Sequence, residues 1–199
     1  MAQSHRPTGP GGSGARSAAT TKASRGDGLL RLGAPPVAAT ALTATVALYM
    51  TLVAFGNITD FGTNQQFVQH VLSMDTTFKD PDLMWRAVES PALQNAAYVA
   101  VIVWEVLAAL VLLAATWFWI TGLRRDAYDR ARAASTVGLV MVLLLFGLGF
   151  LAIGGEWFAM WQSSDWNGLD AAARNVALAA FTLLVVHLPG VRRTGAERV

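Results

Sequence analysis

Four long apolar stretches, separated by polar segments, follow a polar start of the chain. They run over about residues 36–56, 95–120, 136–155 and 171–188. At about 1.5 Å per residue, helices of this length match a hydrocarbon core of about 30 Å. The pattern therefore predicts an all-α membrane protein, a bundle of four transmembrane helices.

Residues that favour helix starts precede three of these stretches. Pro36 suits the first turn of the first helix, Ser90 followed by Pro91 suits the start of the second, and Asp170 opens the fourth. A cleaved signal peptide is the alternative for the first stretch. The long polar lead and the poor cleavage site at residues 56–58 favour a retained helix.

The distribution of Lys and Arg predicts which helix ends face the cytoplasm. The polar start, the loop after the second helix and the last residues contain twelve of the 15 basic side chains, and the other loops contain only Lys79, Arg86 and Arg174. Basic residues concentrate on the cytoplasmic side, so we expect a multi-pass protein of the cell membrane with both termini cytoplasmic. No basic stripe with interleaved aromatic residues indicates nucleic-acid binding.

Two polar tails are expected to flank the membrane domain. Residues 1–34 are rich in Gly, Ser, Ala, Thr and Arg, with few large apolar side chains. Such a segment cannot bury enough surface to offset its ordering entropy, so we predict a disordered cytoplasmic tail. The four-helix domain is expected over residues 35–190, and a short cytoplasmic tail over residues 191–199.

Two short helices are predicted in the outer loop that follows the first stretch. Asn64 is expected to cap one, whose apolar residues share a face: Phe67, Val68, Val71 and Leu72. The Asp80-Pro81-Asp82 segment is expected to open the other, which carries Leu83, Met84, Trp85 and Val88. Both are too short to span a bilayer. They form either a lid, whose apolar faces rest on the outer mouth of the bundle or on lipid headgroups, or a docking surface for a partner.

Glu105 is the one acidic residue deep in an apolar stretch. A carboxylate at that depth is costly unless it faces protein or water, so Glu105 should point into the bundle. Thr45, Tyr49 and Thr182 are expected at a similar depth, and Arg174 could reach it from above. This candidate site is either a functional ionisable group or a hydrogen-bonded carboxyl that fixes helix register.

Tryptophans are concentrated near the predicted membrane surfaces. The second outer loop, residues 156–170, contains Trp157, Trp161 and Trp166, and Trp117 and Trp119 lie near the inner end of the second helix. Amphipathic rings settle at the bilayer interface, so an anchoring belt is the first interpretation. An aromatic pocket for a quinone or lipid headgroup is the alternative for the loop.

The third apolar stretch is rich in glycine. It includes Gly138, Gly147, Gly149, Gly154 and Gly155. Small residues let membrane helices approach closely, so we predict tight helix packing rather than the broken helices of many transporters.

The residue types that support redox, metal or nucleophilic chemistry are scarce. The chain has no cysteine, which excludes disulfides and thiolate metal sites. His5, His70 and His187 fall in the tail, an outer loop and the inner end of the fourth helix, so they are not expected to share a metal or haem. No cofactor and no enzymatic activity are predicted.

A set of polar and aromatic motifs resembles a known family. The motifs are residues 56–60 (GNITD), Asn64, residues 71–77 (VLSMDTT), Trp85-Arg86, Glu105, residues 155–163 (GEWFAMWQS) and residues 166–168 (WNG). The set resembles the bacterial small integral membrane proteins of domain-of-unknown-function family 2165, over about Pro36 to Leu188. The resemblance implies a four-helix inner-membrane protein without an assigned activity.

Most of these matching polar residues fall in the two outer loops, which we predict to form an interaction surface. Its candidate residues are Asn57, Asp60, Asn64, Asp75, Trp85, Arg86, Glu156, Trp157, Trp161, Trp166 and Asn167. The function predicted first is a non-catalytic accessory or assembly subunit that binds another membrane protein, or a second copy of itself, within the lipid bilayer. The alternatives are a proton- or ion-linked transporter that uses Glu105, and a lipid or quinone site near the Trp-rich loop.

Overall fold

The computed structural model describes residues 34–189. Its α-helices are α1 (Pro35–Thr59), α2 (Phe61–Ser73), α3 (Pro91–Leu123), α4 (Asp129–Leu143) and α5 (Leu169–Val186). α4 continues directly into a π-helix, Leu144–Trp157, and single 3₁₀ turns lie at Met84–Arg86 and Met160–Gln162. No β-strand occurs within these residues. The two predicted tails lie outside the described residues, except for Ala34.

Four segments of the described chain are long and apolar enough to cross a membrane: Pro35–Thr59, Pro91–Leu123, Asp129–Trp157 and Leu169–Val186. The predicted all-α, four-span fold is confirmed. The second span begins at Pro91 with Ser90 as its cap residue, as the Ser90-Pro91 start signal predicts, although its apolar stretch begins only near 95. The third span begins at Asp129, earlier than the expected position near 136, because its polar first turns do not extend the apolar pattern.

The four spanning segments pack in a ring. α1 contacts α3, α3 contacts α4, α4 contacts α5, and α5 returns to α1. Met50, Leu112, Leu139 and Val186 are fully buried at the centre, whereas large apolar side chains such as Phe181 face outward with 68% of their surface exposed. An apolar exterior of this kind is the surface that lipid requires.

Gly138 lies at the closest approach of α4 to α3. A Cβ atom at this position would lie 2.7 Å from Cγ and Cδ2 of Leu112. Gly155 is similarly close to α5, since a Cβ there would lie 2.9 Å from Cδ2 of Leu169. The predicted small-residue packing is therefore confirmed at these two glycines. It does not extend to Gly147, where the nearest side-chain atom is 3.8 Å away.

Trp119 lies inside the bundle, and its expected place in an interfacial belt is wrong. Its side chain is fully buried and its Nε1 donates to Oγ of Ser135 at 2.8 Å. Ser135 Oγ is in turn 3.4 Å from Oγ1 of Thr43. The ring thus joins α3 to α4 and α1. Trp117, by contrast, is 63% exposed, as the belt interpretation expects.

Trp119→Phe is expected to destabilise the fold by about 1–3 kcal/mol, because a buried hydrogen bond is lost and packing volume changes. The midpoint of thermal unfolding in detergent measures the effect. Trp117→Phe is the matched control, since its ring is exposed, and should leave the midpoint unchanged. Equal midpoints for both variants would contradict a stabilising role of the buried Trp119 side chain.

The short loop helices differ from the prediction. α2 begins at Phe61 with Asp60 at its cap position, so Asn64 lies within the helix rather than before it. The segment at Asp80 does not open an α-helix. The Asp80 side chain accepts a hydrogen bond from the backbone N–H of Asp82 at 2.9 Å, which closes a local turn. Only the 3₁₀ turn Met84–Arg86 follows. Side-chain bonding to nearby backbone competes with helix formation in this way.

Candidate functional site

A chain of hydrogen bonds leads from one end of the bundle to the buried carboxyl of Glu105. Asn64 Nδ2 donates to Oδ1 of Asn57 at 2.7 Å, and Asn57 Nδ2 donates to Oε2 of Glu105 at 2.6 Å. Tyr98 contributes its hydroxyl, which donates to the backbone carbonyl of Asn57 at 3.2 Å. Glu105 is 2% exposed, so its carboxyl is anchored inside protein, as its position in an apolar helix requires.

Helix periodicity and a sharp chain reversal explain this arrangement. Tyr98, Ile102 and Glu105 follow one another at spacings of four and three residues, which places them on one face of α3, and all three are buried. α1 extends to Thr59, so Asn57 lies in its last turn and faces α3. α2 starts at Phe61 and returns across the bundle, which brings Asn64 back to Asn57.

Glu105 and its partners line a cavity of about 460 Å³, here called the polar cavity. Its walls come from α1, α2, α3, the π-helix and α5. Besides Glu105, its polar lining residues are Tyr49, Asn57, Asp60, Asn64, Tyr98 and Asn175. None of the lining residues is basic, and two are carboxylic acids. Its volume is within the range of small-molecule sites.

A second cavity of about 130 Å³, here called the apolar cavity, adjoins the first. Every residue that lines it is apolar or glycine. Phe67, Val68, Val101 and Phe150 line both cavities. The polar and apolar cavities are therefore separated by a shared wall of side chains.

The two loops at this end of the bundle pack on each other and form a cap, defined as residues 60–90 and 156–168. Thr76 Oγ1 donates to Oγ of Ser163 at 2.8 Å, and the backbone N–H of Phe78 donates to Oε1 of Gln162 at 2.9 Å. Beneath these bonds, Met74 and Phe158 are buried together in a small apolar cluster. The loops thus form one unit over the mouth of the bundle.

Arg86 joins the two loops through tryptophan. Its guanidinium carbon lies 4.8 Å from the centre of the Trp157 ring and 5.6 Å from that of Trp85, and the two rings are edge to face at 5.5 Å. Arg86 Nη1 also donates to the Trp157 carbonyl at 3.4 Å. Contact with both ring faces stabilises the cation without a carboxylate.

Of the residues expected near Glu105, the structure brings Tyr49 into the same cavity. Thr45 is exposed and donates to the Ala41 carbonyl of its own helix. Thr182 is buried but donates to the Leu178 carbonyl, and Arg174 is exposed on α5. Similar depth in the bundle therefore does not bring these three side chains to Glu105.

The outer-loop candidates divide into separate groups. Asn57, Asp60 and Asn64 line the polar cavity, and Trp85, Arg86 and Trp157 form the cluster above. The others make local contacts: Asp75 pairs with His70 at 2.7 Å, Trp166 stacks on His70 at 4.5 Å, Trp161 packs on Phe78 at 5.9 Å, and Asn167 accepts from the Leu169 N–H at 3.1 Å. Glu156 is exposed. They do not form one continuous surface of like character.

Sequence reasoning missed Tyr98 and Asn175 as residues of this site. The spacing of seven residues between Tyr98 and Glu105 was a usable signal, because it places both on one helical face. Asn175 gave only the weaker signal of a polar residue in an apolar stretch.

Ser163→Ala is expected to loosen the cap, because Ser163 Oγ accepts from both Thr76 Oγ1 and the Trp166 backbone N–H. Two donors then lose their acceptor, at a cost of about 1–3 kcal/mol. Amide hydrogen exchange should accelerate over residues 74–78 and 163–166. The neighbouring Ser164 is exposed, so Ser164→Ala serves as the control. Unchanged exchange in Ser163→Ala would contradict the role of this hydroxyl.

Comparison with known proteins gives one match. The sequence profile of the predicted small integral membrane proteins of family DUF2165 matches residues 36–189. Searches of curated proteins and of solved structures gave no match. The profile spans all four membrane segments, and it confirms the resemblance drawn from the sequence motifs. The chain is an integral membrane protein that belongs to the DUF2165 family.

Proposed function

We propose that this protein binds a small organic molecule with a cationic or hydrogen-bond-donating head group in the polar cavity. The observation that carries the proposal is the Glu105 carboxyl, held by Asn57 on the wall of a cavity whose acidic lining residues, Asp60 and Glu105, have no basic counterpart there. Charge complementarity in a partly desolvated site favours a donor such as an ammonium group.

The hydrogen bonding of Glu105 supports this choice of ligand. Of the two carboxyl oxygens of Glu105, only Oε2 accepts a hydrogen bond from the described residues, and its donor is Asn57. Oε1 therefore remains available to a ligand. Among residues 34–189 no group of three or more histidine or acidic side chains is arranged to hold a metal ion. A cavity of this size with two carboxyls on its wall has room for an organic cation and offers it a charged acceptor.

The direct test is a binding titration of the full chain in lipid nanodiscs. n-Butylammonium and butyrate have similar size and opposite charge, and empty nanodiscs correct for partition into lipid. Calorimetry should give saturable binding of the ammonium and none of the carboxylate. Absence of saturable ammonium binding, or equal binding of both ions, would refute the proposal.

An accessory-subunit role is the second candidate, and exposed aromatic residues on the cap favour it. Phe78 and Trp85 are 72% and 70% exposed, each beside a tryptophan of the second loop, and exposed aromatic side chains of this kind suit a protein interface. The test is copurification from membranes in mild detergent. A reproducible partner lost in the double variant Phe78→Ser, Trp85→Ser would support it, whereas clean isolation of the chain alone would argue for a simple interfacial belt.

Ion-linked transport is the third candidate and depends on Glu105 alone, because it is the only acidic residue in the middle of the four spans. A flux of protons or other ions into proteoliposomes that contain the protein, abolished by Glu105→Gln, would support this transport role. Ligand binding without flux would leave the binding proposal in place and exclude transport of that ligand.

We also propose that both termini face the cytoplasm, which places the cap on the outer surface of the cell membrane. The proposal follows from the concentration of basic residues on the opposite side. Fluorescent and phosphatase reporters fused to the amino terminus and after residue 199 measure it. Fluorescence should be high and phosphatase activity low at both ends; the opposite result at either end would overturn it.

A further inference from the structure

We propose that one amphipathic ligand occupies both cavities, with its donor head group at Glu105 and an apolar group of about six carbons in the apolar cavity. The inference rests on the proposed function for its head group. It adds the chemistry of the remainder of the ligand, which the polar cavity alone does not specify. An alkylammonium ion is the simplest molecule of this class.

The wall shared by the two cavities consists of side chains that can move. The rings of Phe67, from α2, and Phe150, from the π-helix, lie side by side with centroids 6.2 Å apart and planes inclined by 17°. Val68 and Val101 complete the wall. In this proposal, a change of rotamer at either ring joins the two cavities without a change in the backbone, because the aromatic χ angles have alternative wells.

Two glycines of the π-helix, Gly149 and Gly154, line the apolar cavity. A Cβ atom at Gly149 would meet no side chain within 4 Å and would have only the Leu144 carbonyl oxygen near it, at 3.8 Å, so this position has room for a side chain. π-helical turns are wider than α-helical ones and recur at functional sites. Gly149 therefore differs from Gly138, where the neighbouring helix leaves no room for a side chain.

The dimensions of the apolar cavity limit the ligand. Its volume of about 130 Å³ has room for a ring or a chain of about six carbons, since a cavity of about 150 Å³ holds benzene. Because its walls carry no polar side chain, water gains no hydrogen bond there, and each methylene buried should raise affinity about fourfold.

The experiment is a titration of n-alkylammonium ions, from ethyl to octyl, against the full chain in lipid nanodiscs, with empty nanodiscs as the baseline. Affinity is expected to rise about fourfold per methylene and to level off near six carbons. Gly149→Leu fills the apolar cavity and should abolish the dependence on chain length. Gly147 does not line that cavity, so Gly147→Leu is the matched control and should retain the dependence.

The possible failures are distinguishable. Affinity that does not depend on chain length, or a dependence that persists in Gly149→Leu, overturns this inference and leaves the head-group proposal intact. If Gly149→Leu does not fold, Val71→Phe fills the same cavity from α2 and replaces it in the test. Ammonium binding that is unaffected by Glu105→Gln overturns the proposed function itself.

Discussion

Replacing Glu105 by glutamine is expected to weaken ammonium binding by about 2 kcal/mol, roughly thirtyfold, because the ligand loses its charged acceptor in a partly desolvated site. The fold should persist, because the glutamine carbonyl can still accept the hydrogen bond that Asn57 donates to Glu105. Calorimetric titration of n-hexylammonium in nanodiscs measures the change, and thermal unfolding verifies that the variant is folded.

The matched control for this prediction is Glu156→Gln. Glu156 is exposed on the cap and does not line the polar cavity, so the same chemical change there should alter affinity by less than about twofold, as for a screened surface charge. Equal weakening by both variants would show that the overall negative charge of the cap attracts the ligand. An unchanged affinity in Glu105→Gln would remove Glu105 from the site.

Gly138→Val is expected to destabilise the bundle, because α3 leaves no room for a side chain at this position of α4. Its Cβ would lie 2.7 Å from Cγ and Cδ2 of Leu112, and Leu112 is fully buried, so it has no free space to enter. Overpacking of this kind costs about 1–3 kcal/mol. The bundle must either separate α3 from α4 or force Leu112 into a strained rotamer.

Thermal unfolding in detergent measures this loss, with Gly147→Val as the control. Both variants carry the same β-branched residue in a helix, but at Gly147 the Cβ would meet only Val176 Cγ2, at 3.8 Å. The unfolding midpoint should fall for Gly138→Val and change little for Gly147→Val. Similar midpoints would indicate that α3 and α4 can separate without cost at this point.

The sequence predicts the four spans well because lipid imposes a simple rule, that long apolar segments must be helical. It predicts helix rotation poorly, because these helices are apolar nearly all around and carry little information about which face is inward. Thr45 and Thr182 illustrate this limit. The sequence predicts both at the depth of Glu105, yet each hydroxyl donates to a carbonyl of its own helix.

The same difficulty in predicting which way a side chain faces affects the candidate site, at the end of α1. The apolar pattern ends near Gly56, which predicts that Asn57 lies in a loop and belongs to the outer interaction surface. α1 in fact continues to Thr59, which turns Asn57 inward onto Glu105. Trp119 is the converse case, since its position near a helix end suggested the interface, whereas Ser135 offers it a buried acceptor. In both cases a hydrogen bond to a residue of another helix accompanies the inward orientation of the side chain.

The length of α3 exceeds what a membrane crossing requires. α3 has 33 residues, about 50 Å at helical rise, whereas a hydrocarbon core measures about 30 Å. Its first turns are polar and bound to the cap, with Gln94 donating to the Val88 carbonyl and Asn95 accepting from Gln65. These turns are therefore associated with the cap rather than with the apolar part of the span. Glu105 lies near the middle of α3, but the polar cavity, whose lining includes the exposed Asp60 and Asn64, offers a solute a route to it between protein side chains instead of through the fatty-acyl interior.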